Sequence, residues 1–351
     1  MNGEQRDPQA GTVDGPGAAR VPRPRTAGGT GLLQIRDLRV SYRDRGVPLP
    51  AVRGVDLTLA AGETLGLAGE SGCGKSTLAG ALLRLLPGNA EVSGEILLNG
   101  SDVLKMSWGR LRAVRWNEAS IVFQGAMHAL NPVRSIGRQI AEAIVLHAPK
   151  SSAATARKQV GELLEQVGVP AWRAESYPHE LSGGQKQRVM IAMALACSPQ
   201  LIIADEPTTA LDVMVQAQVL TLLKQLVQER GVGLILISHD LSVLASTCDR
   251  VAVMYAGRIV EQGPGHRLFA DAAHPYAQAL AAAFPVIGDM ASRRAPRGLP
   301  GDPPDPRELG GGCAFAPRCP VAVAECVEYD IRLRTVDTER SAACVHVGVP
   351  A

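Results

Sequence analysis

Two clusters of residues in this chain have the types and spacing that phosphate chemistry requires. GESGCGKST, Gly69 to Thr77, fits G-x-x-x-x-G-K-[ST], with Gly69, Gly74, Lys75 and Ser76 in the fixed places. Glycines there permit the backbone angles that turn successive N–H groups onto a phosphate, and a helix starting near Lys75 adds its positive dipole end. Lys75 is expected to reach the β- and γ-phosphates and Ser76 to offer its hydroxyl to Mg²⁺. Ser71, Gly72 and Thr77 complete the candidate nucleotide loop, and Cys73 sits at a variable position that needs no redox role. The second cluster is LIIADEP, Leu201 to Pro207, an apolar run that ends in two carboxylates. Neighbouring strand residues point to opposite faces, so Asp205 is suited to hold Mg²⁺ and Glu206 to orient or deprotonate an attacking water. LILISHD, Leu234 to Asp240, repeats the design. It leaves His239 just past a strand end, where it is placed to sense the γ-phosphate; a lone histidine is more often a cap or core residue.

These residues need elements that bring them together. LLQIRDLRV from Leu32 and VDLTLAAGETLGLAG read as short strands with partial alternation. The runs Ser120 to Phe123, Leu201 to Ala204 and Leu234 to Ile237 lack alternation, as strands buried on both faces do. Apolar spacing of three and four predicts helices over Thr77 to Leu86, Ile136 to Leu146, Ala154 to Val167, Gly184 to Ala196 and Val213 to Gln228. Strands alternating with helices predict an α/β core with parallel strands. Residues 1–30, with six Gly and four Pro, read as a disordered leader, 31–284 as the catalytic domain and 285–351 as a Pro- and Cys-rich extension.

Composition sets the outer bounds. Of 351 residues 46% are hydrophobic and 20% charged, enough for a sizeable core. The net charge of +2 gives no electrostatic case for a nucleic-acid partner, although Arg outnumbers Lys thirty to six. The longest apolar stretches fall well short of the roughly 18 residues that cross a bilayer, and the N-terminus has no apolar signal core, so a cytoplasmic chain is expected.

LSGGQ, Leu181 to Gln185, lies between the phosphate loop and the acidic strand end, and resembles the signature of the ABC ATPases. That resemblance covers Leu32 to about Phe269. It implies a P-loop ATPase core with an antiparallel β subdomain and a helical subdomain. It also implies that Tyr42 stacks on adenine, that Gln124 contacts Mg²⁺ and the attacking water, and that Ala210, Leu211 and Asp212 cross a dimer interface. His239 becomes the switch histidine. Ser182, Gly183, Gly184 and Gln185 then form a phosphate-binding helix start that completes the site of a partner in a head-to-tail dimer.

HPYAQAL, His274 to Leu280, followed by a Pro-rich link and GGCAFAPRCPVAVAEC, is similar to the C-terminal extension of ATP-binding subunits of dipeptide, oligopeptide and nickel importers. NPVRSIGRQIAEAI resembles their docking segment for a transmembrane subunit, although Gly125 and Ala126 replace the acidic residue and Pro common in relatives. The resemblance implies a peptide importer ATPase on the cytoplasmic face of the membrane. Its partners would be two transmembrane permease subunits, a second ATPase subunit and an extracytoplasmic solute-binding protein. Nickel or another small solute is the alternative cargo. A soluble ABC ATPase acting on nucleic acid or the ribosome is the rival class, and it usually carries two cassettes or a long coiled coil.

Four of the seven cysteines, Cys313, Cys319, Cys326 and Cys344, fall within 32 residues. Their clustering argues for a shared ligand, but intervals of five, six and seventeen residues match neither zinc nor ferredoxin patterns. Some relatives with this tail hold an iron–sulfur cluster, so the resemblance implies [4Fe–4S]; zinc and unmetallated thiols stay open. Cys197 and Cys248 sit in apolar helical contexts and read as core residues.

Overall fold

Leu33–Asp44 (β1) buries Leu33, Ile35, Leu38 and Val40, so its alternation slips by one residue midway. The slip is a bulge at Arg36 and Asp37, which interrupts the register with both neighbouring strands. Those neighbours are Val47–Leu59 (β2) and Ala90–Leu98 (β4); with Ser101–Asp102 (β5) they form an antiparallel sheet in the order β2-β1-β4-β5. The structure is a computed structural model describing residues 31–347 apart from 124, 126–128, 148–151, 210, 284–298, 300, 329 and 331. The expected leader, Gln124, Ala210 and residues 284–298 of the Pro-rich stretch therefore lie outside the described residues.

The second sheet contains Thr64–Ala68 (β3), Ala119–Val122 (β6), Leu201–Asp205 (β7), Gly233–Ser238 (β8), Arg250–Tyr255 (β9) and Arg258–Pro264 (β10). Two short strands near the chain end, Arg334–Thr335 (β11) and Ser341–Ala342 (β12), complete it. The order is β11-β12-β10-β9-β3-β8-β7-β6, with β9, β3, β8, β7 and β6 parallel and the rest antiparallel. Every residue of β3 and of β7 is buried, as a strand covered on both faces must be. Alternate residues serve different cores. Leu201, Ile203, Ile235 and Ile237 pack with Leu65, Leu67 and the antiparallel sheet. Ile202, Ala204, Leu234 and Leu236 pack on the opposite face with the helices.

The five expected helices are present as Lys75–Leu82, Ile136–His147, Ala153–Gln166, Gly183–Leu195 and Val213–Arg230, each within a few residues of the sequence reading, and shorter ones such as Leu241–Thr247 join them. Caps fix their ends: Ser152, Ser182 and Asp212 accept backbone N–H bonds at N-termini, and Gly231 closes the last helix at φ 65. The helix from Lys75 starts two residues early because Gly74, at φ 107, is its N-cap; it stops at Leu82, where Arg84 takes φ 49. The extension joins the main core directly. Phe315, 1% exposed, packs among Tyr255, Tyr276 and His274. Among the described residues no helix is long and apolar enough to cross a membrane.

His274 starts the helix Pro275–Ala282, its Nδ1 accepting the Tyr276 N–H at 3.0 Å while Glu261 accepts the N–H groups of Ala273 and His274. Burial pushes its pKa down from 6.5 to about 4. Between those pH values the unfolded chain takes up a proton here that the folded chain refuses. Stability should therefore fall by about 3 kcal/mol as pH drops through that window. His274→Asn keeps a cap acceptor and should remove that part of the slope in urea titrations from pH 7 to 4; equal slopes for parent and variant would disprove the assignment.

Candidate nucleotide site

β3 ends at Ala68 and the chain turns through Gly69–Gly74 into the helix Lys75–Leu82. Gly69 and Gly74 have positive φ, and a Cβ at either would lie far inside contact with a carbonyl oxygen, Met254 in one case and Ala51 in the other. Gly72, at φ 80, has open space around it. Lys75 is buried, and its Nζ donates to the carbonyls of Gly69 at 2.7 Å and Glu70 at 2.8 Å. Ser71, Gly72 and Ser76 face solvent. Burial pushes the Cys73 thiol up despite the adjacent ammonium, so this cysteine stays protonated.

Asp205 at the end of β7 is 5% exposed, and its Oδ1 has no hydrogen-bond partner among the described residues. Burial raises its pKa, a hydrogen bond with Ser76 lowers it, Glu206 raises it and Lys75 lowers it. An orphaned carboxylate oxygen beside a serine hydroxyl is a donor set for a hard cation, so the residues present fit Mg²⁺. Glu206 follows at φ 45, a left-handed conformation that a non-glycine residue adopts at a cost. Thr209 donates to Glu206 Oε2 at 2.9 Å and His239 Nδ1 lies 3.7 Å from Oε1. Asp205, Glu206 and His239 thus meet at one end of the sheet with the phosphate loop.

Tyr42 on β1 shares a hydrogen bond with Thr77 Oγ1 at 3.1 Å, which ties its ring to the helix start behind the loop. It lines a cavity of about 210 Å³ with Ala51, Ser71, Gly72, Tyr255 and, from the extension, Pro303 and Leu309. At the signature, Ser182 Oγ accepts the Gln185 N–H at 3.3 Å and Gln185 Oε1 accepts the Ser182 N–H at 3.1 Å. This is a reciprocal capping box, and Ser182 keeps its own hydroxyl proton for an outside acceptor. Gly184 has a packing reason as well: a Cβ there would come within 2.6 Å of Val215 on the neighbouring helix. Leu211 is half-buried and Asp212 caps that helix.

The four extension cysteines are drawn together. Burial raises the Cys313 pKa, and the neighbouring Cys326, Cys319 and Cys344 raise it further. Cys313 N–H donates to the Cys326 carbonyl at 2.6 Å. Yet among the described residues no group of three or more His, Cys, Asp or Glu is arranged to hold a metal ion. The expected [4Fe–4S] cluster is therefore not supported by a metal-holding group among the described residues, where Cys326 and Cys344 are buried and Cys313 and Cys319 half-buried. Burial pushes Cys197 to about 11 and Cys248 to about 12, as in ordinary apolar surroundings. Sequence reading gave no role to Glu70, Tyr276 or Arg318, which meet at the loop. Tyr276 and Arg318 lie 206 and 248 positions from Glu70, so no local spacing links them.

Residues 52–209 match the family model described as ABC transporter, and residues 260–326 the one described as the oligopeptide/dipeptide transporter C-terminal region. A probable peptide ABC transporter ATP-binding protein of Sinorhizobium fredii is 46% identical over 316 residues, 89% of this chain and 94% of that relative. The oligopeptide transport ATP-binding protein OppD of Mycobacterium tuberculosis is 44% identical over 90% of this chain, which spans about half (52%) of that longer protein. Among solved structures, a dimeric ATP-binding cassette in a post-hydrolysis state with ADP and Pi aligns at TM-score 0.60 and 27% identity, over 66% of this chain and 98% of the cassette.

The glycine geometry makes a graded prediction. Gly72→Ala should cost about 1 kcal/mol, the strain of a left-handed alanine in open space. Gly74→Ala adds a collision with the Ala51 backbone and should cost at least about 3 kcal/mol. Urea midpoints of the two variants test this. Equal losses would mean that the approach to Ala51 does not constrain position 74.

Proposed function

Because the chain belongs to the ABC transporter family, in its peptide-importer branch, we propose that it hydrolyses ATP to energise peptide import. The observation that carries this reading is the buried, unpartnered oxygen of Asp205 beside Ser76, at the mouth of a loop whose lysine rests on loop carbonyls. Lys75 exchanges those carbonyls for the β- and γ-phosphate oxygens of ATP, a substitution that keeps its charge satisfied in a buried place. Ser76 and Asp205 would hold Mg²⁺, which when bound would supply charge neutralisation on the same phosphates. Glu206 holds the attacking water by one of its protons, and Thr209 and His239 hold Glu206. The water oxygen bonds to the γ-phosphorus as the bond to the ADP oxygen breaks, and the proton the water gives up passes to Glu206.

Tyr42 offers its ring to adenine, and Gln124 is assigned to Mg²⁺ and the attacking water by the family resemblance. Ser182, Gly183, Gly184 and Gln185 would reach the nucleotide of a second, related or identical ATPase subunit. The free proton of Ser182 supports that reading, as does likeness to a cassette solved as a dimer. Two transmembrane permease subunits and an extracytoplasmic solute-binding protein complete the assembly, with this chain on the cytoplasmic face of the membrane. The match of residues 260–326 supports a peptide importer over a soluble ABC ATPase acting on nucleic acid.

Turnover and nucleotide affinity separate the roles. Glu206→Gln should leave ATP affinity within about twofold and cut hydrolysis at least about 100-fold, because only the transition state loses an interaction. Lys75→Ala should weaken ATP binding and turnover together. Hydrolysis at the parental rate in Glu206→Gln would show that another group handles the water.

A further inference from the structure

Glu70, the second residue of the phosphate loop, is held by segments far from it in the chain. Its N–H donates to the Tyr276 hydroxyl at 2.9 Å. Its carboxylate receives two parallel bonds from Arg318, at 2.8 Å from Nη1 and 3.0 Å from Nη2. The Arg318 side chain is only 6% exposed and that of Glu70 23%, so the guanidinium is shielded while the carboxylate keeps an edge toward solvent. Arg318 also donates to the Tyr255 hydroxyl at 3.2 Å and lies 5.8 Å from the ring centres of Tyr255 and Phe315. Phe315 in turn meets Tyr255 and Tyr276 edge-on at 5.4 Å. The extension thus drives an aromatic anchor into the core and, three residues later, presents a guanidinium fork to the loop.

The Glu70 carbonyl is also one of the two that Lys75 occupies. When Lys75 moves to phosphate, that carbonyl keeps only the longer bond from the Cys73 N–H, at 3.3 Å, and the backbone at Glu70 needs another restraint to keep the N–H cradle in shape. Tyr276 and Arg318 supply one that does not involve Lys75. A bidentate Arg–carboxylate pair fixes geometry as well as distance, which a single flexible ammonium would not do.

Building on the nucleotide-site reading, we propose that Arg318 of the C-terminal extension and Tyr276, on the helix just before it, are positioning residues for the phosphate loop, through which that end of the chain sets ATP affinity. The competing view is that the same contacts only fasten the extension to the core. In that case their loss lowers stability and leaves the affinity of the folded fraction alone.

The full-length chain is assayed with Mg·ATP for Kd by calorimetry, for KM and kcat by phosphate release, and for its urea midpoint. Arg318→Gln should raise Kd and KM about 5- to 20-fold with kcat at saturation within about twofold, the pattern of lost ground-state binding. Arg318→Lys, which restores the charge without the fork, should recover part of that loss. Glu70→Gln combined with Arg318→Gln should be no weaker in affinity than either alone, since both remove one interaction. Parental affinity in Arg318→Gln, or additive losses in the double variant, overturns the proposal. If Arg318→Gln does not fold, Tyr276→Phe, which deletes one hydroxyl, carries the test: about threefold weaker ATP supports the proposal and unchanged affinity overturns it. Lys75→Ala run alongside separates the two levels, because parental affinity there would overturn the nucleotide-site reading on which the clamp depends.

Discussion

The parallel pairing of β7, β8 and β3 is the constraint on which the site depends. Ala68 stands opposite Ser238, and Ile237 opposite Asp205, so the three strands finish level with one another. The phosphate loop, the two carboxylates and His239 leave the sheet at that common edge. A slip of one residue in β7 would exchange the faces to which its side chains point and move Asp205 away from Ser76. Complete burial resists the slip, since Leu201 and Ile203 belong to one core and Ile202 and Ala204 to the other. Packing on both faces is therefore what places the residues proposed to act on the nucleotide.

Within that frame the adjacent carboxylates separate by environment. Asp205 is still on the strand, buried and with one oxygen lacking a partner among the described residues, an environment that suits the cation ligand proposed above. Glu206 is past the strand, turned by a left-handed φ toward Thr209 and His239. The strained backbone sits at the residue whose carboxylate takes Thr209 as its donor. Two like charges on consecutive residues are thereby given different surroundings instead of a shared one.

The extension is built into this arrangement, since β12 pairs with β10 and Phe315 shares the core of the main sheet. Arg340, with 7% of its side chain exposed, bonds Asp337 at 2.9 Å and the Asp271 carbonyl, linking the extension's last strands to the loop before His274. The cysteines add bulk and mutual proximity here, whereas aromatic packing, strand pairing and arginine bonds make the described connections to the ATPase core.

By itself the sequence determined the chemistry that is local: the loop at Gly69–Thr77, the paired carboxylates, the capped helix at Ser182 and the alternation of buried strands with amphipathic helices. Such features are legible because a turn, a cap or a buried strand is dictated by residues within about ten positions. The resemblance to peptide-importer subunits was legible for the same reason, in short contiguous motifs. Only the tertiary structure decided which distant residues meet. It tied Tyr42 to Thr77, set a packing limit on Gly184 through Val215, and placed Tyr276 and Arg318 on Glu70. It also drew the four cysteines together without forming a metal-holding group among the described residues, an outcome that their count and spacing could not foretell. The physical reason is that sheet order and long-range packing set these meetings, and neither leaves a periodicity in the chain.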